Sequence, residues 1–178
     1  MKVFYYALFL FAVAACSSVT TSFDYDKSAD FTKYKTYAYT EHTQKLPEIN
    51  SLDRDRILAA IDTEMTKRGY TKSDSSPDVL TDVFIKTEEE MSATATNTGG
   101  YGRWGYGYGW GGGTTYVDYN KYVKGTLFIS LVDRGTEKIV WQGRGTKTLN
   151  ENVKPEKKEA NIKSAVTMIF QKYPKTAK

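Results

Sequence analysis

One cysteine and one histidine are all the thiol and imidazole that this 178-residue chain contains, and proline is nearly as scarce, with four. A single cysteine allows no internal disulfide. A lone histidine, His42, leaves no Ser-His-Asp triad, Cys-His pair or Cys/His zinc set without atypical partners. His42 lies in the polar run "HTQKLPEINS" and reads as a solvated loop residue. Charge of one sign is also missing. The formal net charge is +4, or +3 without Lys2, which is no electrostatic footprint for nucleic acid.

Long apolar runs are absent except at the start. Met1-Lys2 is a short basic opening, followed by "VFYYALFLFA" and then by small residues leading to Cys16. This layout predicts a secretory signal peptide over residues 1–15. The run is too short to span a bilayer, which wants roughly 20 residues. "VAAC" resembles a bacterial lipobox and implies cleavage before Cys16 and lipidation of it. Ser17 and Ser18 follow, with no Asp at the second position, which leans towards the outer membrane facing the periplasm. The remaining residues, 16–178, suffice for one domain.

"VTTSFDY" (Val19–Tyr25) and "FTKYKTYAY" (Phe31–Tyr39) alternate as strands do. Leu52, Ile57, Ala60, Ile61 and Met65 make one helical stripe, with Asn50 or Ser51 to cap it and Gly69 to end it. Val79–Thr87 alternates again. Thr126–Asp133 and Lys138–Leu149 flank the turn residues of "DRGTE" and predict an antiparallel hairpin, with Gly143 and Gly145 on the face of Trp141. Pro155 opens a last helix, whose stripe is Ile162, Ala165, Val166, Ile169 and Phe170. The order ββ-α-β-(insertion)-ββ-α predicts an α+β two-layer sandwich: a mostly antiparallel sheet with two helices on one face.

"DYDKSADFTKYKTYAY", "GTLFISLVDRGTEKIVWQGRG" and the final "FQKYP" carry a resemblance across nearly all of the mature chain. They are similar to the bacterial lipoprotein family known as domain of unknown function 4136, and the "LVD…VWQG" hairpin is the most specific piece. The resemblance implies an envelope lipoprotein. It implies no activity and transfers no catalytic residue.

The remaining chemistry is thin. Asp24, Asp26 and Asp30 are loosely calcium-like, but a twelve-residue calcium loop wants Gly sixth and Glu twelfth, where this chain has Ala29 and Lys35. Glu88–Glu90 read as the solvated end of a strand, and Lys157, Lys158, Lys163 and Lys172 as a solvated helix face. No metal, cofactor or catalytic residue is nominated. The insertion, at about 92–122, holds "GGYGRWGYGYGWGGG", with nine of the 14 glycines. Its G-x-G-x-x-G (Gly100, Gly102, Gly105) is not followed by a helical pattern, so it is no dinucleotide fingerprint. Glycine at this density resists a fixed structure, and the plainest reading is a mobile insertion between two sheet strands. Tyr101, Trp104, Tyr106, Tyr108 and Trp110 are large faces on a pliable backbone, suited to an envelope protein, a glycan, a membrane interface or self-association. The expectation is a lipid-anchored, non-enzymatic interaction or scaffolding module. The alternative is a glycan- or envelope-polymer-binding lipoprotein that uses this loop.

Overall fold

A computed structural model describes residues 19–97, 115–150 and 152–174. The expected signal peptide, Cys16, and Tyr101, Trp104, Tyr106, Tyr108 and Trp110 lie outside the described residues. The elements are β1 (Thr20–Tyr25), β2 (Thr36–Tyr39), α1 (Glu41–Lys45), α2 (Ser51–Lys67), β3 (Thr71–Lys72), β4 (Val79–Asn97), β5 (Thr115–Asp133), β6 (Ile139–Leu149) and α3 (Pro155–Phe170). The strands form one mixed sheet in the order β1-β6-β5-β4-β2-β3. Pairing is antiparallel from β1 to β4, and β2 lies parallel to both β3 and β4. The fold is α+β, with a mostly antiparallel sheet.

The register aligns side chains into rows across the sheet. Tyr25, Trp141, Leu131, Thr81 and Tyr39 make one row, and Phe23, Gly143, Ile129 and Val83 the next. Trp141, Leu131, Ile129 and Val83 have no solvent exposure and form the floor of the core. The helices add to the same buried cluster: Ile57, Ile61 and Met65 from α2, and Val166, Ile169 and Phe170 from α3. The α3 side chains reach the sheet at Gly143, where an added Cβ would lie 2.5 Å from Ile169 Cγ2 and 2.7 Å from Trp141 Cη2. The expected partnership of glycine and indole is therefore real at Gly143. At Gly145 the space is taken by Ile169 and Val19 instead.

The caps follow the sequence closely. Asn50 accepts the backbone N–H of Asp53 at the start of α2. Gly69 sits at φ +83°, the left-handed conformation that ends a helix. Pro155 occupies the first turn of α3. At the far ends of the helices, Arg68 donates to the Phe170 carbonyl at 2.6 Å and to Glu64 Oε2 at 2.7 Å, tying α2 to α3.

Three expectations are corrected. The second strand is only Thr36–Tyr39. Residues 30–33 turn instead, because Asp30 Oδ1 accepts from the Thr32 N–H and hydroxyl. Phe31 is buried from that turn, edge-on to Tyr34 and Tyr173. Leu52 does not belong to the buried stripe and is 66% exposed. The polar connector contains α1, whose Thr43 hydroxyl takes the place of a strand partner by accepting the Val83 N–H at 2.8 Å. Strand structure also continues into the stretch expected as an insertion: β4 runs to Asn97, β5 resumes at Thr115, and these two residues are register partners.

Candidate functional site

α2 and α3 run the same way, with both N-termini at the end of the sheet where Val19 leads into β1. The sheet continues past them. Between the first turns of the two helices lies a groove of about 390 Å³. Its floor is Ile85, Leu127 and Gly145, one register row, followed by Thr87, Gly125 and Lys147. Ile49 and Ile57 form one wall, and Ile162 and Ala165 the other. Val19 and Leu149 close the side towards β1. Gly125 matters here because Leu149 lies folded over it, with Cδ2 2.9 Å from where a Cβ would be.

The rim is charged and organised. Asp53 receives Lys158 Nζ at 2.5 Å, Arg56 Nη1 at 2.8 Å and Asn50 Nδ2 at 2.8 Å. Burial alone would raise its pKa, but the hydrogen bonds from Lys158, Asn50 and Arg56 hold the carboxyl below its ordinary value. Lys147 reaches Asn161 Oδ1 at 3.3 Å. α3 begins without a side-chain cap from Lys154. Its first free N–H groups and the positive end of its dipole therefore stand at the groove mouth. A second hollow, of about 470 Å³, over Ala38, Leu80, Pro77 and Arg134, is open and lacks an apolar floor of this kind.

The other sequence candidates do not converge. His42 is exposed, 2.9 Å from Glu48 and 3.8 Å from Asp82. Asp26 and Asp30 bind their own turns through Ser28 and Thr32. Glu88 pairs with Lys86, and Glu90 with Lys124. Of Lys157, Lys158, Lys163 and Lys172, Lys158 alone lines the groove, and Lys172 lies beyond the end of α3. Among the described residues there is no group of three or more His, Cys, Asp or Glu side chains placed to hold a metal ion, and no helix long and apolar enough to cross a membrane. The groove itself is absent from the sequence expectations. Its traces were Gly125 and the even spacing of Ile85 and Thr87 beyond the helix-covered rows.

Beyond β6, β4 and β5 continue alone as a two-stranded ribbon. One face carries Met91 (62% exposed), Tyr119 (63%) and Val117 (46%). The other pairs Ser92 with Asn120 and Thr94 with Asp118. The apolar side belongs to the same sheet face as the groove floor.

Residues 21–175 match the family described as Domain of unknown function (DUF4136). The chain belongs to this family. The DUF4136 match begins within β1 and takes in the ribbon, α3 and all of the groove lining except Val19. No curated protein matches the chain. Among solved structures, a PDZ domain protein from Parabacteroides distasonis is similar at 16% identity with a TM-score of 0.55, over 90% of this chain and 36% of that one. This DUF4136 chain thus spans about a third of that protein, and the likeness is one of fold. Two PelC dodecamer structures from Paraburkholderia phytofirmans align at 10% identity, over 85% of this chain and 94% of theirs, with TM-scores of 0.42 and 0.44.

Proposed function

We propose that this DUF4136 protein is a lipid-anchored cell-envelope module that binds its ligand without transforming it. On this reading Cys16 carries the lipid, the protein sits on the outer membrane facing the periplasm, and the two helices over one sheet face make a two-layer sandwich. The observation that carries the binding role is the groove: an apolar inner floor and apolar walls, with the charged groups Asp53, Lys147 and Lys158 at the rim, as small-molecule sites are built. Asp53, the carboxylate in its lining, already accepts from three partners and is an anchor for the two helices rather than a base. The lipobox sequence supports the anchor. Cys16 lies three residues before Val19, about 11 Å of chain at most, so an acylated Cys16 holds the groove mouth beside the bilayer.

The test of the anchor is acylation. In cells fed labelled palmitate, the protein should take up label and fractionate with membranes, and Cys16→Ser should lose both. A Cys16→Ser protein that still labels refutes the assignment.

A second reading assigns glycan or envelope-polymer contact to Tyr101, Trp104, Tyr106, Tyr108 and Trp110. It is favoured by the ribbon, which carries both ends of that tract clear of the core. Trp141 has no exposure, so a shift in tryptophan emission on adding cell-wall glycan fragments would report Trp104 and Trp110. No shift would count against this reading.

A further inference from the structure

We infer that the groove between the first turns of α2 and α3 receives the alkyl tail of a free, single-chain anionic amphiphile of the fatty-acid class, with its carboxylate at the rim. The inference deepens the binding role proposed above and names its ligand class.

Three observations carry it. The inner floor row, Ile85, Leu127 and Gly145, and the walls Ile49, Ile57, Ile162 and Ala165 offer only aliphatic side chains and glycine, and the polar Thr87 and Lys147 stand in the next row. About 390 Å³ lies in the lower part of the roughly 300–1,000 Å³ range of ligand sites, suited to one chain rather than to a two-chain lipid. The charge is at one end and is net positive among the described lining residues. Lys147 and Lys158 stand against Asp53, Lys158 pairing with it at 2.5 Å, and the N-terminus of α3, which has no side-chain cap, adds its positive end. An anionic head group matches that rim, whereas the acyl groups of a lipidated Cys16 carry no charge to satisfy it. An occupant with a tail and a carboxylate uses both halves of the site.

The experiment uses the mature chain in nanodiscs of neutral phosphatidylcholine and a diazirine-bearing palmitate, with labelled peptides located by mass spectrometry. Label is expected on the peptides containing Leu127 and Ile162. Palmitate should displace it at least tenfold better than hexadecanol. Across shorter fatty acids, competition should strengthen by roughly tenfold for every two methylenes and then level off when the groove is full. Thr87→Trp, at an exposed floor position, should remove the groove label and leave any label acquired from the bilayer. Val153→Trp closes the same space from the loop before α3 and serves if Thr87→Trp fails to fold. Lys158→Gln should erase the preference for palmitate over the alcohol.

Label confined to residues outside the groove, or unchanged by both tryptophan variants, overturns the inference. So does equal competition by hexadecanol. Label that enters the groove only in Cys16→Ser protein would instead seat the chain's own acyl group there, and also overturns it. The intact mass of the mature chain reads the anchor separately. A protein without acyl groups refutes the anchoring and leaves the groove labelling to be measured in solution.

Discussion

At the residue scale, the tightest constraint is Gly143. Its missing Cβ is where Ile169 of α3 meets the ring of Trp141, at 2.5 and 2.7 Å from the position a methyl would take. Neither neighbour can withdraw, since both are fully enclosed and the indole also stacks on Phe170 at 5.2 Å. Gly143→Ala should therefore destabilise the domain by about 1–3 kcal/mol, seen as a lower midpoint in urea. Gly135→Ala, in the exposed turn before β6, should shift it little, and equal effects would mean that the α3 contact is not rigid. Much at this scale was legible in the sequence. A Trp followed two and four residues later by Gly announces a bulky side chain with room made beside it. What could not be read was that Gly145 serves a different neighbour, because Ile169 and Val19 approach from distant parts of the chain.

At the element scale, α2, α3 and the β5–β6 hairpin were readable, because each is specified by its own residues: a stripe, a cap, a turn. β2 and α1 were not. β2 is four residues long and lies parallel to its neighbours, and alternation encodes neither direction nor partner. α1 is a single short turn held by the Thr40 cap and by Thr43 against Asp82 and Val83, contacts that exist only after β4 is in place. The strands of the ribbon went unread within the expected insertion because their glycine-rich neighbour dominates the composition, while their own residues alternate as a strand should. The ribbon and the body of the sheet should differ in stability. Val79–Ile85 of β4 lie between two strands or under α1, whereas residues 92–97 have β5 alone, and an isolated pair of strands is marginal in water. Amide exchange should be slow across Val79–Ile85 and orders of magnitude faster over residues 92–97. Equal protection would show that something covers the ribbon.

At the scale of the whole molecule, stability should fall on the acid side. Asp78 Oδ2 accepts from the backbone N–H of Lys35, from the Thr36 hydroxyl and from the Thr36 N–H, which together lower its pKa. Asp133 is lowered first by the Thr136 N–H and then by the Tyr34 hydroxyl. In Glu64, burial pulls the other way, but Lys67, Arg68 and Thr167 prevail and lower it. A carboxyl whose folded-state pKa is depressed contributes stability above its unfolded value, near 4. That contribution is lost as pH falls through the folded value. Melting temperature should accordingly be flat between pH 7 and about 5 and drop steeply below about 4. Asp78→Asn should cost about 1 kcal/mol at neutral pH, allowing for solvent screening at this partly exposed site. The gap to the parent should close towards pH 3, and a gap independent of pH would remove the carboxylate charge from the explanation.

The two ends of the described domain have a mechanical consequence. Val19 lies beside Gly145 and Tyr173 beside Trp141, four residues apart along β6 and so separated by about 13 Å along the strand axis. β1 joins β6 through six register pairs. If the front of the chain is held in a membrane and the domain is tugged from the other end, the load runs along β1. The β1–β6 hydrogen bonds are then sheared together instead of being peeled one at a time. A tethered copy would resist being stripped from its anchor strand far better than the short length of β1 suggests.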